Sequence, residues 1–344
     1  MDLTAKSSKN VIASPVCFVC EANGRGEATP PPHRGGGAIP ILRLLPASPA
    51  GRRRPFEPPR NDKGLVSFFL DIKFEHSIFA LPFAYLGLFL AEEGWPRGPI
   101  FFWVTVAMVF FRTFAMAMNR LIDCEIDAKN PRTESRALPR KQLTPRFVRT
   151  AALLSILVFL FSAVQLGPLC LVLSPLPIFL AWIYPYLKRF TWLSHGVLGI
   201  ILGISPYGAW LASRGEFSWI PGLLLMGVAG WVAGFDIFYS LQDHEFDRQF
   251  GLKSVPVRFG EKHSLGIAGL LHGVALVSWT AAGMLAGLGG IYGAGLALVA
   301  VFLLWEHWIL YRWGRSRVER AFFTMNAAIS VVIFLAALAD LNFR

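Results

Sequence analysis

The chain has 344 residues, 54% of them hydrophobic, with 11 Trp, 29 Phe and a formal net charge of +11. So apolar a composition excludes an ordinary soluble domain and indicates a polytopic membrane protein. The basic residues fall in short loops between apolar segments, where they orient a chain in a bilayer, so the charge does not indicate nucleic-acid binding.

Residues 1–62 carry Pro30-Pro31-Pro32, Gly35-Gly36-Gly37, Arg52-Arg53-Arg54 and Pro58-Pro59 with little periodicity. Such a tract buries too little apolar area to offset its ordering entropy. It reads as a disordered cytoplasmic tail or as a start site assigned too far upstream. The apolar stretch near Val11 is too short and too soon broken for a signal peptide. Cys17-x-x-Cys20 has no second pair to complete a zinc site, and with Cys124 and Cys170 it makes no disulfide framework.

The remainder, 63–344, reads as one membrane-embedded, all-α domain. Nine segments are long enough to cross a hydrocarbon core of about 30 Å: 72–92, 99–120, 147–166, 169–187, 192–213, 219–241, 264–288, 291–312 and 320–341. The loop after the second holds Arg120, Lys129, Arg132, Arg136, Arg140, Lys141 and Arg146, and the loop after the fourth Lys188 and Arg189. Arg248, Lys253, Arg258 and Lys262 follow the sixth; Arg312, Arg315, Arg317 and Arg320 follow the eighth. The opposite loops offer only Arg97 and Arg214. This asymmetry puts the amino terminus in the cytoplasm and the carboxy terminus outside.

Two acidic phrases follow the second and sixth segments, both on the cytoplasmic side: Asp123-Cys124-Glu125-Ile126-Asp127 and Asp243-His244-Glu245-Phe246-Asp247. On a helix Asn119, Asp123 and Asp127, spaced i, i+4, i+8, form one stripe, as do Tyr239, Asp243 and Asp247. Glu125 and Glu245 point off the stripes. Four crossings separate the copies, as in an internal repeat whose halves meet across a pseudo-twofold axis. Carboxylates beside lipid need a positive partner, and Mg2+ is held by a few carboxylates plus substrate phosphates. A metal-bridged diphosphate suits two facing stripes, with Arg132, Arg136, Arg140, Lys188, Arg189, Lys253 and Arg258 available for its oxygens. Arg112, two turns before Asn119 and about midway through its span, needs an anion or an aqueous cavity.

At these residues the chain resembles the UbiA-type intramembrane prenyltransferases, over about residues 66–342. Asn119, Asp123 and Asp127 match their N-D-x-x-D-x-x-x-D signature, with Arg120 where the second letter is usually Asp. Asn130-Pro131-Arg132-Thr133 and Arg136-Ala137-Leu138-Pro139 are similar to the family's continuation. Tyr239, Asp243 and Asp247 match Y-x-x-x-D-x-x-x-D, and Gly251-Leu252-Lys253-Ser254-Val255-Pro256 is similar to the 4-hydroxybenzoate polyprenyltransferase branch. The Asn-Arg-Leu-Ile-Asp form is also similar to a subgroup that includes menaquinone-pathway enzymes.

The resemblance implies Mg-dependent transfer of a polyprenyl group from its diphosphate to an aromatic acid acceptor. That acceptor is 4-hydroxybenzoate, or alternatively dihydroxynaphthoate, in ubiquinone or menaquinone biosynthesis, in a bacterial inner membrane. It implies catalysis by Asp123, Asp127, Asp243 and Asp247, which with Asn119 would hold Mg2+, and substrate binding by Arg112, Asn119, Arg132, Arg136, Lys188, Tyr239 and Lys253. Phe79, Tyr184, Tyr186 and Phe235 are aromatic neighbours for an allylic cation, with ordinary packing as the competing reading. Lys73 and His76 are further partners for an acceptor carboxylate. Glu306 and His307 read as a mutually satisfied pair, and His272 and Asp340 as residues near span ends or among packed helices. The alternative of another class is an ion-coupled secondary transporter, which would place carboxylates at the midplane and break its helices there. Span two carries no Gly or Pro at mid-depth, whereas Gly227, Gly230 and Gly234 leave span six open to that reading.

Overall fold

The computed structural model describes residues 61–72, 77–313 and 318–343. The tail read over 1–62, apart from its last two residues, lies outside the described residues, as do Cys17, Cys20, Lys73, His76 and the side chain of Phe79. Among the described residues the structure is all helical: α1 (Asn61–Asp71), α2 (Ser77–Glu92), α3 (Gly98–Asp127), α4 (Pro145–Leu166), α5 (Pro168–Leu173), α6 (Pro175–Phe190), α7 (Ser194–Arg214), α8 (Trp219–Ser240), α9 (His244–Gln249), α10 (Val255–Leu285), α11 (Gly290–Trp313) and α12 (Val318–Asn342).

Proline opens α4, α5 and α6 at the first positions, where its fixed φ suits a helix start and its missing N–H costs nothing. Thr144 caps α4 by accepting a hydrogen bond from Phe147 N at 3.2 Å. Asp340 does the same service at a distance for α11, accepting from Gly289 N and Tyr292 N, each at 2.9 Å. Counting α5 with α6 and α8 with α9, eight helical stretches among the described residues are long and apolar enough to cross a membrane. The expected first span is shorter: α2 has 16 residues, a rise of about 24 Å. Nine expected spans thus become eight long ones and one short one, in an integral membrane protein.

The interior is organised around α8, which packs against α7 on one side and α10 on the other. Trp231, Trp279 and Phe83 fill the centre, with Phe83 stacked on Trp279 at 5.5 Å between ring centroids. Such close packing of helices in lipid rests on small residues. A methyl carbon added at Gly199 of α7 would lie 2.3 Å from the Ala229 carbonyl oxygen of α8, and one at Gly230 would lie 2.7 Å from the Leu271 carbonyl of α10. The glycines of α8 are therefore contact points and not breaks, since the helix runs unbroken from Trp219 to Ser240. Leu153, Leu154, Leu157 and Phe161 on α4, and Leu270 and Val277 on α10, stand exposed, as side chains facing lipid do.

Two departures from regular helix matter for the site. α8 tightens into a 3-10 turn at Leu241–Asp243 and restarts as α9, so Tyr239, Asp243 and Asp247 do not share one continuous helix as their spacing predicts. The polar run Gln242-Asp243-His244 has left the apolar packing that holds α8 straight, and Asp243 is bonded instead to the opposite loop. The expected seventh span, starting at 264, belongs to a longer α10 that begins at Val255 and breaks at Gly260, whose φ of 76° lies in the left-handed region open to glycine.

Candidate active site

A cavity of about 720 Å³ runs between α3, α6, α7 and α8. One end is lined by Asn119, Asp123, Asp127, Asp243, Asp247 and the basic side chains Arg132, Arg136, Lys188 and Lys253. The other end is apolar, with Val104, Met108, Phe159, Leu166, Leu202 and Leu225 in its wall. Arg112 lines the cavity between these ends, and Tyr239 lines it next to the acids. The four aspartates and the substrate-binding residues expected from the family resemblance thus line one space.

The two acidic phrases, 120 positions apart, are joined there by the segment 128–144. Its first turn is closed by Thr133 N and Glu134 N donating to Asn130 O at 2.9 and 2.8 Å. That turn reaches across to the second phrase. Asn130 Nδ2 donates to Asp243 Oδ1 at 3.0 Å, Arg132 Nε donates to the same oxygen at 2.8 Å, and Arg132 Nη2 donates to Oδ2, a bidentate clasp. Within the first phrase Arg136 Nη1 donates to Asp127 Oδ2 at 2.5 Å, and Lys188 Nζ, from the end of α6, donates to Asp123 Oδ2 at 2.7 Å. Lys253 N in turn donates to Lys188 O at 2.6 Å, tying the segment after α9 to the end of α6. Three aspartates are each held by a base from another part of the chain, so acids and bases already alternate where an anionic head group would lie.

Asp123 Oδ1 is buried and draws no hydrogen bond, with Arg189 Nη2 still 3.7 Å away. A buried carboxylate oxygen left in this way is costly unless a cation comes to it. No three His, Cys, Asp or Glu side chains among the described residues converge to hold a metal by themselves. That donor arrangement fits Mg2+, which keeps waters and is bound through one or two carboxylates together with phosphate oxygens. Asp123 and Asp127 on one wall and Asp243 and Asp247 on the other are the acids that would hold it. The carbonyl of Asn119 is engaged by Arg120 Nη1 at 3.1 Å, while its Nδ2 donates to Asp123 Oδ2 at 3.3 Å, so Asn119 orients an acid.

Arg120, the departure from the family signature, lines the cavity but gives its hydrogen bonds to Asp71 and Asn119. It is buried, its Nε and Nη2 donate to the Asp71 carbonyl at 3.1 and 3.0 Å, and its guanidinium lies 3.5 Å from the Asp71 carboxylate. Asp71 Oδ1 accepts from Ala137 N at 2.9 Å. One buried ion pair therefore fastens the end of α1, the last turns of α3 and the 128–144 segment together.

Other expectations divide. Tyr184 and Phe235 line the cavity; Tyr186 instead lies under Arg189, 5.3 Å from its guanidinium. Arg140 and Arg258 are off the cavity, the latter stacked on Trp192 at 5.3 Å. Glu125 and Glu245 are exposed and off it, as expected. Glu306 and His307 do not satisfy one another: His307 pairs with His272 at 3.2 Å, and the buried Glu306 oxygens have no hydrogen-bond partner. Reading the sequence missed Asn130 as a site residue and missed His195, whose Nδ1 lies 2.7 Å from Asp236 Oδ2 at the cavity wall. Asp236 falls inside the expected span 219–241, and no local pattern marks its partner forty-one positions away.

An all-helical membrane bundle enclosing a cavity with a charged mouth and an apolar body is the plan of the intramembrane prenyltransferases. The chain belongs to the UbiA prenyltransferase family, whose model matches residues 80–329. It is 29% identical over 256 residues to a 4-hydroxybenzoate octaprenyltransferase of Alkalilimnicola ehrlichii, covering 74% of this chain and 87% of the relative. It is 30% identical over 260 residues to the enzyme so named in Cronobacter sakazakii, covering 74% and 88%. The apo structure of a UbiA homolog from Aeropyrum pernix K1 superposes with a TM-score of 0.71 at 33% identity, over 78% of this chain and 98% of the other. A UbiA homolog from Archaeoglobus fulgidus bound to GPP and Mg2+ shares the fold at a TM-score of 0.63, with 17% identity, over 80% and 99%.

Proposed function

We propose that this protein transfers a polyprenyl group from polyprenyl diphosphate to the ring of an aromatic acid, 4-hydroxybenzoate, in quinone biosynthesis. The observation that carries the reading is the convergence of both acidic phrases, bridged by Asn130 and Arg132, on the charged mouth of one otherwise apolar cavity. The similarity to proteins named 4-hydroxybenzoate octaprenyltransferase supports the acceptor and the isoprenoid donor, and the fold shared with a homolog bound to GPP and Mg2+ supports the diphosphate and the metal.

Asp123, Asp127, Asp243 and Asp247 would hold Mg2+, which when bound neutralises charge developing on a departing diphosphate. Arg132, Arg136, Lys188 and Lys253 face the same oxygens and bind the head group as it leaves. Tyr184 and Phe235 present ring faces to positive charge at the reacting allylic carbon. The apolar wall at Val104, Met108, Phe159 and Leu202 holds the isoprenoid chain and excludes water. Arg112, a cation within the cavity, is placed to receive the acceptor's carboxylate. The positive-inside asymmetry supports a charged mouth at the cytoplasmic face of a bacterial inner membrane, with the amino terminus inside and the carboxy terminus outside.

A carboxylate at mid-depth between broken helices, as an ion-coupled transporter needs, is not the arrangement here: α3 is continuous to Asp127 and the paired acids lie at its end. The test is transfer of labelled prenyl groups to 4-hydroxybenzoate, dihydroxynaphthoate and homogentisate by purified enzyme with magnesium. The 4-hydroxybenzoate product is expected, lost with EDTA and restored by Mg2+, and reduced about 100-fold or more by Asp123→Ala or Asp243→Ala. Turnover that survives both substitutions, or persists without divalent metal, defeats the proposal.

A further inference from the structure

Prenylation of an aromatic ring releases one proton; three of the four acids that face the diphosphate are already engaged by Lys188, Arg136 and Arg132, and the fourth, Asp247, lies with them at the charged mouth. We propose that Asp236 is the base that receives this proton and that His195 positions it; the proposal rests on the prenyl-transfer reading above. Asp236 lines the cavity with its side chain 23% exposed. Only its Oδ2 is taken, by His195 Nδ1 at 2.7 Å. His195 is buried, and its Nε2 lies 3.4 Å from Val255 N. A backbone N–H can only donate, so Nε2 accepts and Nδ1 carries the hydrogen given to Asp236. The imidazole is thus fixed at both nitrogens, by α8 and by the first residue of α10, and Asp236 Oδ1 is left towards the cavity.

The register of the two walls places Asp236 where an acceptor ring would be. Asp236 precedes Asp243 by seven residues on α8, and Arg112 precedes Asp123 by eleven on α3. Both helices run toward the charged mouth, so with the two aspartates as a common level Arg112 lies four residues deeper, about 6 Å along the axis. That offset matches the distance from the carboxylate to the hydroxyl of a para-substituted benzoate. An acceptor anchored on Arg112 would turn its hydroxyl-bearing end, and the ring carbon beside it, to Asp236.

In the step, the bond from the allylic carbon to the diphosphate oxygen breaks and its electron pair leaves on the diphosphate. A ring electron pair forms the new carbon–carbon bond at the position ortho to the hydroxyl. The hydrogen on that carbon passes as a proton to Asp236 Oδ1, and its bonding pair restores the aromatic ring. No oxidant or further reactant is needed.

The test compares the wild type with Asp236→Asn, Asp236→Glu, His195→Gln and His195→Phe, using geranyl diphosphate, Mg2+ and 4-hydroxybenzoate, protiated or deuterated at both positions ortho to the hydroxyl. Asp236→Asn is expected to lower kcat for transfer about 100-fold and to show a ring-deuterium isotope effect larger than the wild type's. KM for geranyl diphosphate, and oxygen-isotope scrambling within it, should hold within roughly threefold. Asp236→Glu keeps a carboxylate and should retain more transfer than the asparagine variant. His195→Gln, which still donates a hydrogen bond, should retain more than His195→Phe at equal KM. Transfer by Asp236→Asn close to wild type, or loss of scrambling in step with transfer, overturns the proposal and leaves prenyl transfer standing. A wild type that transfers no prenyl group overturns both.

Discussion

Arg120 shows how one residue can keep a family site while abandoning a family letter. Its guanidinium and the Asp71 carboxylate are both buried, with side chains 4% exposed. Removing one member of such a pair leaves an uncompensated charge, a cost of about 3–5 kcal/mol. Arg120→Met is therefore expected to lower unfolding stability in detergent by that order. Combining it with Asp71→Asn should recover at least about 1 kcal/mol of the summed single costs; strict additivity would mean the two side chains do not interact. The signature's spacing made Asn119, Asp123 and Asp127 legible in the sequence, because helical periodicity brings them to one face. The partner of Arg120 was not legible, because Asp71 lies 49 positions away and only tertiary packing joins them.

At the scale of the element, the segment 128–144 and the α7–α8 contact decide the shape of the site. Arg132 gives Asp243 two of its three hydrogen-bond donors from that segment. Arg132→Ala should raise KM for the prenyl diphosphate about tenfold or more with the fold intact, since charge-assisted hydrogen bonds count for about 1.5–3 kcal/mol. An unchanged KM would show that the clasp does not set head-group affinity. On α7, His195 and Gly199 are one turn apart on the face that meets α8. The added carbon in Gly199→Ala must push the helices apart, a cost of about 1–3 kcal/mol, and draws His195 from Asp236. Lower thermal stability and weaker transfer should appear together; a variant as stable as the parent would deny the contact its role. Here the sequence misled in one respect: glycines that suggested a broken α8 prove to be where neighbouring backbones touch. A sequence marks a missing side chain but not what occupies its place.

For the whole molecule, composition gave the class, because a span in lipid must satisfy its backbone hydrogen bonds internally and long apolar runs do so as helices, and loop charge predicts an orientation with the basic loops on the cytoplasmic side. The count differs at the first span, where the expected 72–92 becomes the 16 residues of α2. Orientation has a direct check. In a chain with its native cysteines replaced by serine, Ser135→Cys and Glu216→Cys place exposed thiols on the two opposite sides. An impermeant maleimide added to intact cells should label the Glu216→Cys chain alone; labelling of Ser135→Cys instead would invert the topology.

The clasp of Asp243 by Asn130 and Arg132 spans 113 and 111 positions. Contacts between such distant positions form late, since the closure entropy of the intervening chain comes first. During synthesis, α3 and its acids would enter the bilayer well before α8 exists. A nascent or truncated chain ending before α8 would thus be a membrane protein without a head-group site, not an enzyme of half strength. Activity is born only when the second half arrives, and two separately expressed halves should be silent alone and active on reassociation.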